Sequence, residues 1–181
     1  MDPGLLGAHC SEVSMGLLDT SAFSRLRRNH GLEHATIHVL SRTQPRVSTA
    51  GHSDPSGFWL LGDLSTEAVY AAAEEALARL RAGERQLAIH PNCGTNLVTA
   101  SLTAGLAGAF ALGSARNDRE RLERLPLAVL FSMGGLLLAR PLGTRIQERV
   151  TTSGDPGTLH ITEIRRTQRG RFTAHRISTA D

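Results

Sequence analysis

The chain of 181 residues contains no lysine; its 20 basic residues are all arginine. It has two cysteines, Cys10 and Cys93, too few for a disulfide scaffold. Aromatic residues make up 4%, with one Trp and one Tyr, which argues against a base-stacking surface and hence against a nucleic-acid partner. There is no G-x-G-x-x-G, no phosphate loop and no G-x-S-x-G elbow. The opening Met-Asp-Pro-Gly lacks a basic stretch followed by an apolar run, so no secretory signal is expected. At 40% apolar and 20% charged residues, the composition excludes a disordered or collagen-like chain.

Charge and histidine are unevenly spread. Residues 1–96 hold 8 Arg against 10 acidic residues, and residues 97–181 hold 12 against 7. Six of the eight histidines lie in the acidic half. Histidine is the commonest metal ligand and proton shuttle, so chemistry is expected there.

The apolar spacing of Phe23, Leu26, Ile37 and Leu40 predicts a helix over 21–41, with Asp19, Thr20 and Ser21 as caps. Residues 47–52 and 58–61 read as a β-hairpin around Asp54-Pro55-Ser56-Gly57. Ser65 caps a predicted helix over 66–81, stopped at Gly83, and 86–90 reads as a third strand. Residues 159–166 and 172–178 read as a second hairpin that packs back on the first, with Thr167–Arg171 as its turn.

Two uncharged runs stand apart. Residues 97–115 span about 28 Å as a helix, close to the bilayer core of about 30 Å. Residues 125–139 form a second run, extended by 140–143. The pairs Ala104/Gly108 and Gly105/Ala109 permit close helix contact. The reading is a transmembrane helical hairpin; a buried pair of soluble helices is the alternative. The fold class is thus α+β: a metal-site domain over 1–96, the membrane hairpin over 97–143, and a linker with a β-hairpin over 144–181. The lipid bilayer is the expected partner, and a homo-oligomer is left open.

The sharpest feature is His30-Gly31-Leu32-Glu33-His34, the pattern H-x-x-E-H. On a helix, His30 and His34 point about 40° apart, one turn from each other, and can grip one metal ion. Glu33 lies about 60° to the other side of His30, in reach of a metal-held water whose proton it can take. All three share the arc of Phe23, Leu26 and Ile37, where an ionisable trio costs several kcal/mol unless paired or metal-bound. A satisfied buried His–Glu network is the alternative. His38, one turn on, is read first as ordinary packing, with a further ligand or a group that orients a ligand as the alternatives.

His90-Pro91-Asn92-Cys93-Gly94-Thr95 supplies what the first motif lacks. A zinc hydrolase needs three protein ligands and an open position. Cys93 is the first candidate for the third ligand and His90 the second; Asn92 and Thr95 are candidates to orient ligand or substrate. The expected cofactor is zinc or another divalent metal. If His90 and Cys93 both bind, the site closes at four ligands and is structural. Cys93 as a nucleophile with His90 or His34 as base is a third reading.

His30-Gly31-Leu32-Glu33-His34-Ala35-Thr36-Ile37, then His90-Pro91-Asn92-Cys93-Gly94-Thr95, then an apolar helix, resembles uncharacterised bacterial membrane-protein families with the patterns HGxEHxTI and HPxCGT. The resemblance takes in Ser53-Asp54-Pro55-Ser56-Gly57-Phe58-Trp59 and covers roughly residues 29–143. It implies a shared fold and a metal-dependent enzyme without an assigned substrate. The HxxEH core alone also resembles the inverzincin peptidases of the insulinase and pitrilysin kind, which implies peptide cleavage. There a distant glutamate completes the zinc site, whereas here Cys93 and His90 stand in that place on a far shorter chain. The expected function is a membrane-bound, zinc-dependent hydrolase with its site at the membrane surface; a non-catalytic membrane protein with a structural His/Cys site is the alternative. The soluble part and both termini are expected on the cytoplasmic side, where a thiolate ligand is safest from oxidation.

Overall fold

A computed structural model describes residues 20–169 and 172–181. The N-terminal stretch with its signal reading and the Asp19 cap, and Gly170-Arg171 of the second turn, lie outside the described residues. The protein combines helices with one four-stranded antiparallel sheet, an α+β fold. It divides into two compact units, residues up to His90 together with Val150–Asp181, and Pro91–Arg149.

In the first unit, α1 spans Ser21–Thr43 and is buried through most of its second half. Thr20 stands at its N-cap position, its carbonyl accepting from Ser24 N at 2.9 Å. Strands β1 (Ala50–Asp54) and β2 (Gly57–Leu61) form the first hairpin. Helix α2 runs over Thr66–Arg81; the Ser65 side chain accepts from Ala68 N, and Gly83 takes a φ of 96° just past its end. That left-handed conformation favours glycine and closes the helix.

Strands β3 (His160–Arg169) and β4 (Phe172–Ala180) return to the same sheet, whose order is β1-β2-β4-β3. Period-2 alternation explains the layering. Phe58 and Leu60 of β2 pair across the sheet with Ile177 and His175 of β4, and all four are buried. Phe58, Leu60 and Ile177 join Leu32 and Leu40 of α1 and Val69 and Leu77 of α2 in one core.

The predicted third strand over 86–90 is corrected: Arg85–Ala88 forms a 3-10 turn, and His90 follows in irregular chain. A strand must spend its carbonyls on a neighbouring strand. Here the Ala88 and Ile89 carbonyls accept instead from His34 and His38 of α1.

In the second unit, α3 spans Gly94–Leu112, the short α4 Asp118–Glu123 and α5 Leu125–Ile146; a π-turn at Gln147–Thr151 follows α5 and ends in the first unit. Asn117 caps α4 by accepting from Glu120 N at 2.9 Å. Helices α3 and α5 pack through small residues. Ser132 Oγ donates to the Ala104 carbonyl at 3.0 Å, and a Cβ on Gly135 would come within 2.6 Å of the Thr103 carbonyl. Of the two small-residue pairs in the sequence, Ala104/Gly108 meets α5, whereas Gly105 has nothing within 4 Å of a Cβ position. The large apolar side chains point outward: Leu106 is 69% exposed, Phe110 76% and Leu137 73%. Both helices are long and apolar enough to cross a membrane.

Candidate metal centre

The i, i+4 spacing on α1 brings the His30 and His34 rings edge to face, with centroids 4.4 Å apart. Each ring is fixed by a backbone carbonyl. His30 Nδ1 donates to the Thr151 carbonyl at 2.9 Å, and His34 Nδ1 to the Ala88 carbonyl at 2.7 Å. A carbonyl only accepts, so each Nδ1 carries a proton, and a neutral ring so placed has its lone pair on Nε2. Metal-binding histidines are oriented in this way by a carbonyl or carboxylate on the other nitrogen. Sequence reasoning missed Thr151 and Ala88, because backbone carbonyls carry no residue signal.

His38 and His90 join the same side of α1. His38 Nε2 donates to the Ile89 carbonyl at 2.9 Å. The His90 ring lies 4.9 Å from His38 and 5.7 Å from His34, centroid to centroid. Burial, and next the neighbouring His38 and His34, pull the His90 pKa from 6.5 down to about 4, so it is neutral at pH 7.

Glu33 leaves α1 in another direction, toward β1. It is 4% exposed, and its Oε2 accepts a hydrogen bond from Ser53 Oγ. A Cβ on Gly51 would collide with the same carboxylate, so glycine at 51 makes room for it. The Ser53 hydroxyl and the Gly51 gap give a buried carboxylate the polar partner it requires. Both residues were invisible as site residues from spacing alone.

Gly31 explains the glycine of the first motif. A Cβ there would collide with the Ser153 carbonyl, while Ser153 N donates to the Arg27 carbonyl at 2.9 Å. The helix thus runs backbone to backbone against the segment that carries Thr151. Asn29, fully buried, braces the preceding turn: its Nδ2 donates to the Asp54 carbonyl at 2.9 Å and its Oδ1 accepts from Thr179 Oγ1 at 2.7 Å.

Cys93 sits at the N-cap position of α3, and its carbonyl accepts from Asn96 N at 2.9 Å. Asn92 precedes it in the turn, and Thr95 lies in the first turn of α3, its carbonyl accepting from Thr99 Oγ1 at 2.8 Å. By donor type, the His30 and His34 imidazoles and the Cys93 thiol are each of the kind that ligates metal ions.

The family model for a domain of unknown function (DUF6391) matches residues 25–164. An uncharacterized protein of Picosynechococcus sp. (strain ATCC 27264 / PCC 7002 / PR-6) is 40% identical over 154 residues, covering 77% of this chain and 71% of that protein. No solved structure matches.

Proposed function

The chain belongs to the DUF6391 family, and from the geometry of its histidines we propose that it is a membrane-bound, metal-dependent hydrolase. The carrying observation is the His30–His34 pair, adjacent at 4.4 Å and each held by a carbonyl on Nδ1, so that Nε2 is the nitrogen that would ligate an ion. Cys93 is the proposed third ligand. It follows His90 by three residues, so the chain keeps it within about 10 Å of that ring's backbone. Zinc is the expected ion, given two imidazoles and a thiolate. Bound there, it would supply an acidified water and a polarised substrate carbonyl or phosphoryl group.

The protein's own residues do the rest. His30 and His34 hold the ion in fixed tautomers. Ser53 orients the Glu33 carboxylate, which takes the proton of the attacking water and returns it to the leaving group. Asn92 and Thr95 orient substrate.

The outward apolar faces of α3 and α5, with small residues between them, support a membrane hairpin. Cys93 lies one residue before α3, so the proposed site is at the bilayer surface, on the cytoplasmic side. The substrate class is then a membrane-protein segment, a lipid-linked molecule or an amphiphile.

The nearness of His90 to His34 favours one second reading, a closed four-ligand site without catalysis. The test uses full-length protein in detergent and a panel of fluorogenic amphiphilic peptides, esters and phosphodiesters. The hydrolase reading expects turnover that chelation abolishes, and three protein ligands plus water by X-ray absorption. Four protein ligands and no turnover would establish the structural reading.

A further inference from the structure

We propose that the free edge of β3 is a dimer interface: two copies of this chain pair β3 against β3, antiparallel, about a two-fold axis centred on Ile164. Dimerisation of this kind does not depend on the hydrolase reading.

The sheet order β1-β2-β4-β3 leaves β3 at one end, and among the described residues no strand lies beyond it. It runs for 10 residues, whereas β1 at the other end has 5. An edge strand of that length offers a row of ladder groups to another chain.

The side chains of β3 select that chain. The register shift in the strand falls between Ile161 and Glu163, so the stretch from Glu163 onward is regular. Glu163 and Arg165 share one face of it and Ile164 takes the other. The two charges meet within the chain at 3.3 Å, yet Arg165 is 70% exposed and Glu163 55%, so both remain open to a partner. With Ile164 set opposite Ile164 of a second copy, antiparallel order puts Glu163 of each copy opposite Arg165 of the other. Two symmetry-related ion pairs result, and directly opposed unlike charges stabilise a sheet. On the other face Ile164, already packed against the core, meets its own counterpart.

The charge of the whole strand runs the same way. Residues 161–164 line a groove with Glu67 and Glu74 of α2, an acidic end, and Arg165 and Arg166 follow as a basic end. Antiparallel pairing lays the acidic end of each copy along the basic end of the other. The complement that this edge requires is therefore on the same strand, which is the condition for a closed two-fold interface.

Light scattering of the full-length protein in detergent, with the detergent mass subtracted, measures the oligomeric state. The wild type should be a dimer at micromolar concentration. Glu163→Arg and Arg165→Glu each set like charges opposite one another, and each should weaken dimerisation about tenfold or more. Mixed in equal amounts, the two variants should dimerise again, because the two arginines of one copy then face the two carboxylates of the other. Only pairing between copies gives that rescue, since the contact within each chain stays broken in both variants. A monomeric wild type overturns the proposal and would make the charges of β3 guards against edge pairing. A dimer undiminished in both variants also overturns it and places the contact elsewhere, for instance on the apolar helices. A mixture that stays monomeric overturns it as well. Far-UV circular dichroism verifies the fold of each variant.

Discussion

Thr179 Oγ1 donates to Asn29 Oδ1 at 2.7 Å, a buried hydrogen bond across 150 residues of sequence. It ties β4 to the turn of α1 just before His30, and the other end of the same amide holds the carbonyl of Asp54 in β1. One side chain therefore fixes the helix that carries three histidines against the first and last strands of the chain.

Asn29→Ala leaves the Asp54 carbonyl and the Thr179 hydroxyl buried without that amide. Each unsatisfied group costs about 1–3 kcal/mol, so the expected loss is about 2–6 kcal/mol. Thermal unfolding of the detergent-solubilised protein measures it. A change below about 0.5 kcal/mol would mean that neither partner depends on Asn29.

Gly31→Ala gains about 1 kcal/mol of helix propensity. The new methyl collides with the Ser153 carbonyl and presses on Ala88, whose carbonyl orients His34. Backbone cannot yield as a flexible side chain can, so the net effect is destabilising, with weaker zinc binding. Isothermal titration with zinc, beside thermal unfolding, checks both; a more stable variant with unchanged affinity contradicts the close approach.

Glu33→Gln should keep the metal and the fold but abolish turnover, since an amide cannot take the proton. His34→Ala should lose metal and stability together. Elemental analysis of the two purified variants separates the roles. Loss of metal from Glu33→Gln would make Glu33 a ligand and not the base.

Acid stability should fall in two stages. His175 is buried, and burial, with Arg166 next, holds its pKa below 6.5. Its contribution is complete above pH 6.5 and shrinks as the pH falls through its lowered value. Asp54 is held at about 2, from 3.8, chiefly by its hydrogen bonds from Arg176 at 2.7 and 2.9 Å. That contribution is complete above about pH 3.8 and is lost as the pH falls through 2. Arg176 lies 5.5 Å over the Trp59 ring, so the fluorescence of the one tryptophan reports the second stage. Asp54→Asn should remove that stage alone; superimposable curves for the two proteins would refute it.

For topology, a membrane-impermeant thiol reagent on intact cells should label Arg121→Cys and leave Ala180→Cys at the background set by the native cysteines. The reverse pattern would put the site outside the cell and move the substrate to the envelope.

The sequence alone determined what depends on neighbours within a turn or two. The 3.6-residue period placed α1 and α2 and put His30, His34 and Glu33 on a helix. The Asp54–Gly57 turn signal placed the first hairpin, and uncharged length marked α3 and α5. Tertiary structure decided what depends on chain segments far apart. The carbonyls that set the tautomers of His30 and His34 lie 121 and 54 residues away, at Thr151 and Ala88. The predicted strand at 86–90 is a 3-10 turn whose Ala88 and Ile89 carbonyls accept from His34 and His38, because β-propensity has no force where no strand offers a ladder. The insertion of β4 between β2 and β3, and the approach of His90 to His38, were likewise settled by packing. Local spacing fixes which face a side chain takes; only the folded chain fixes what waits on that face.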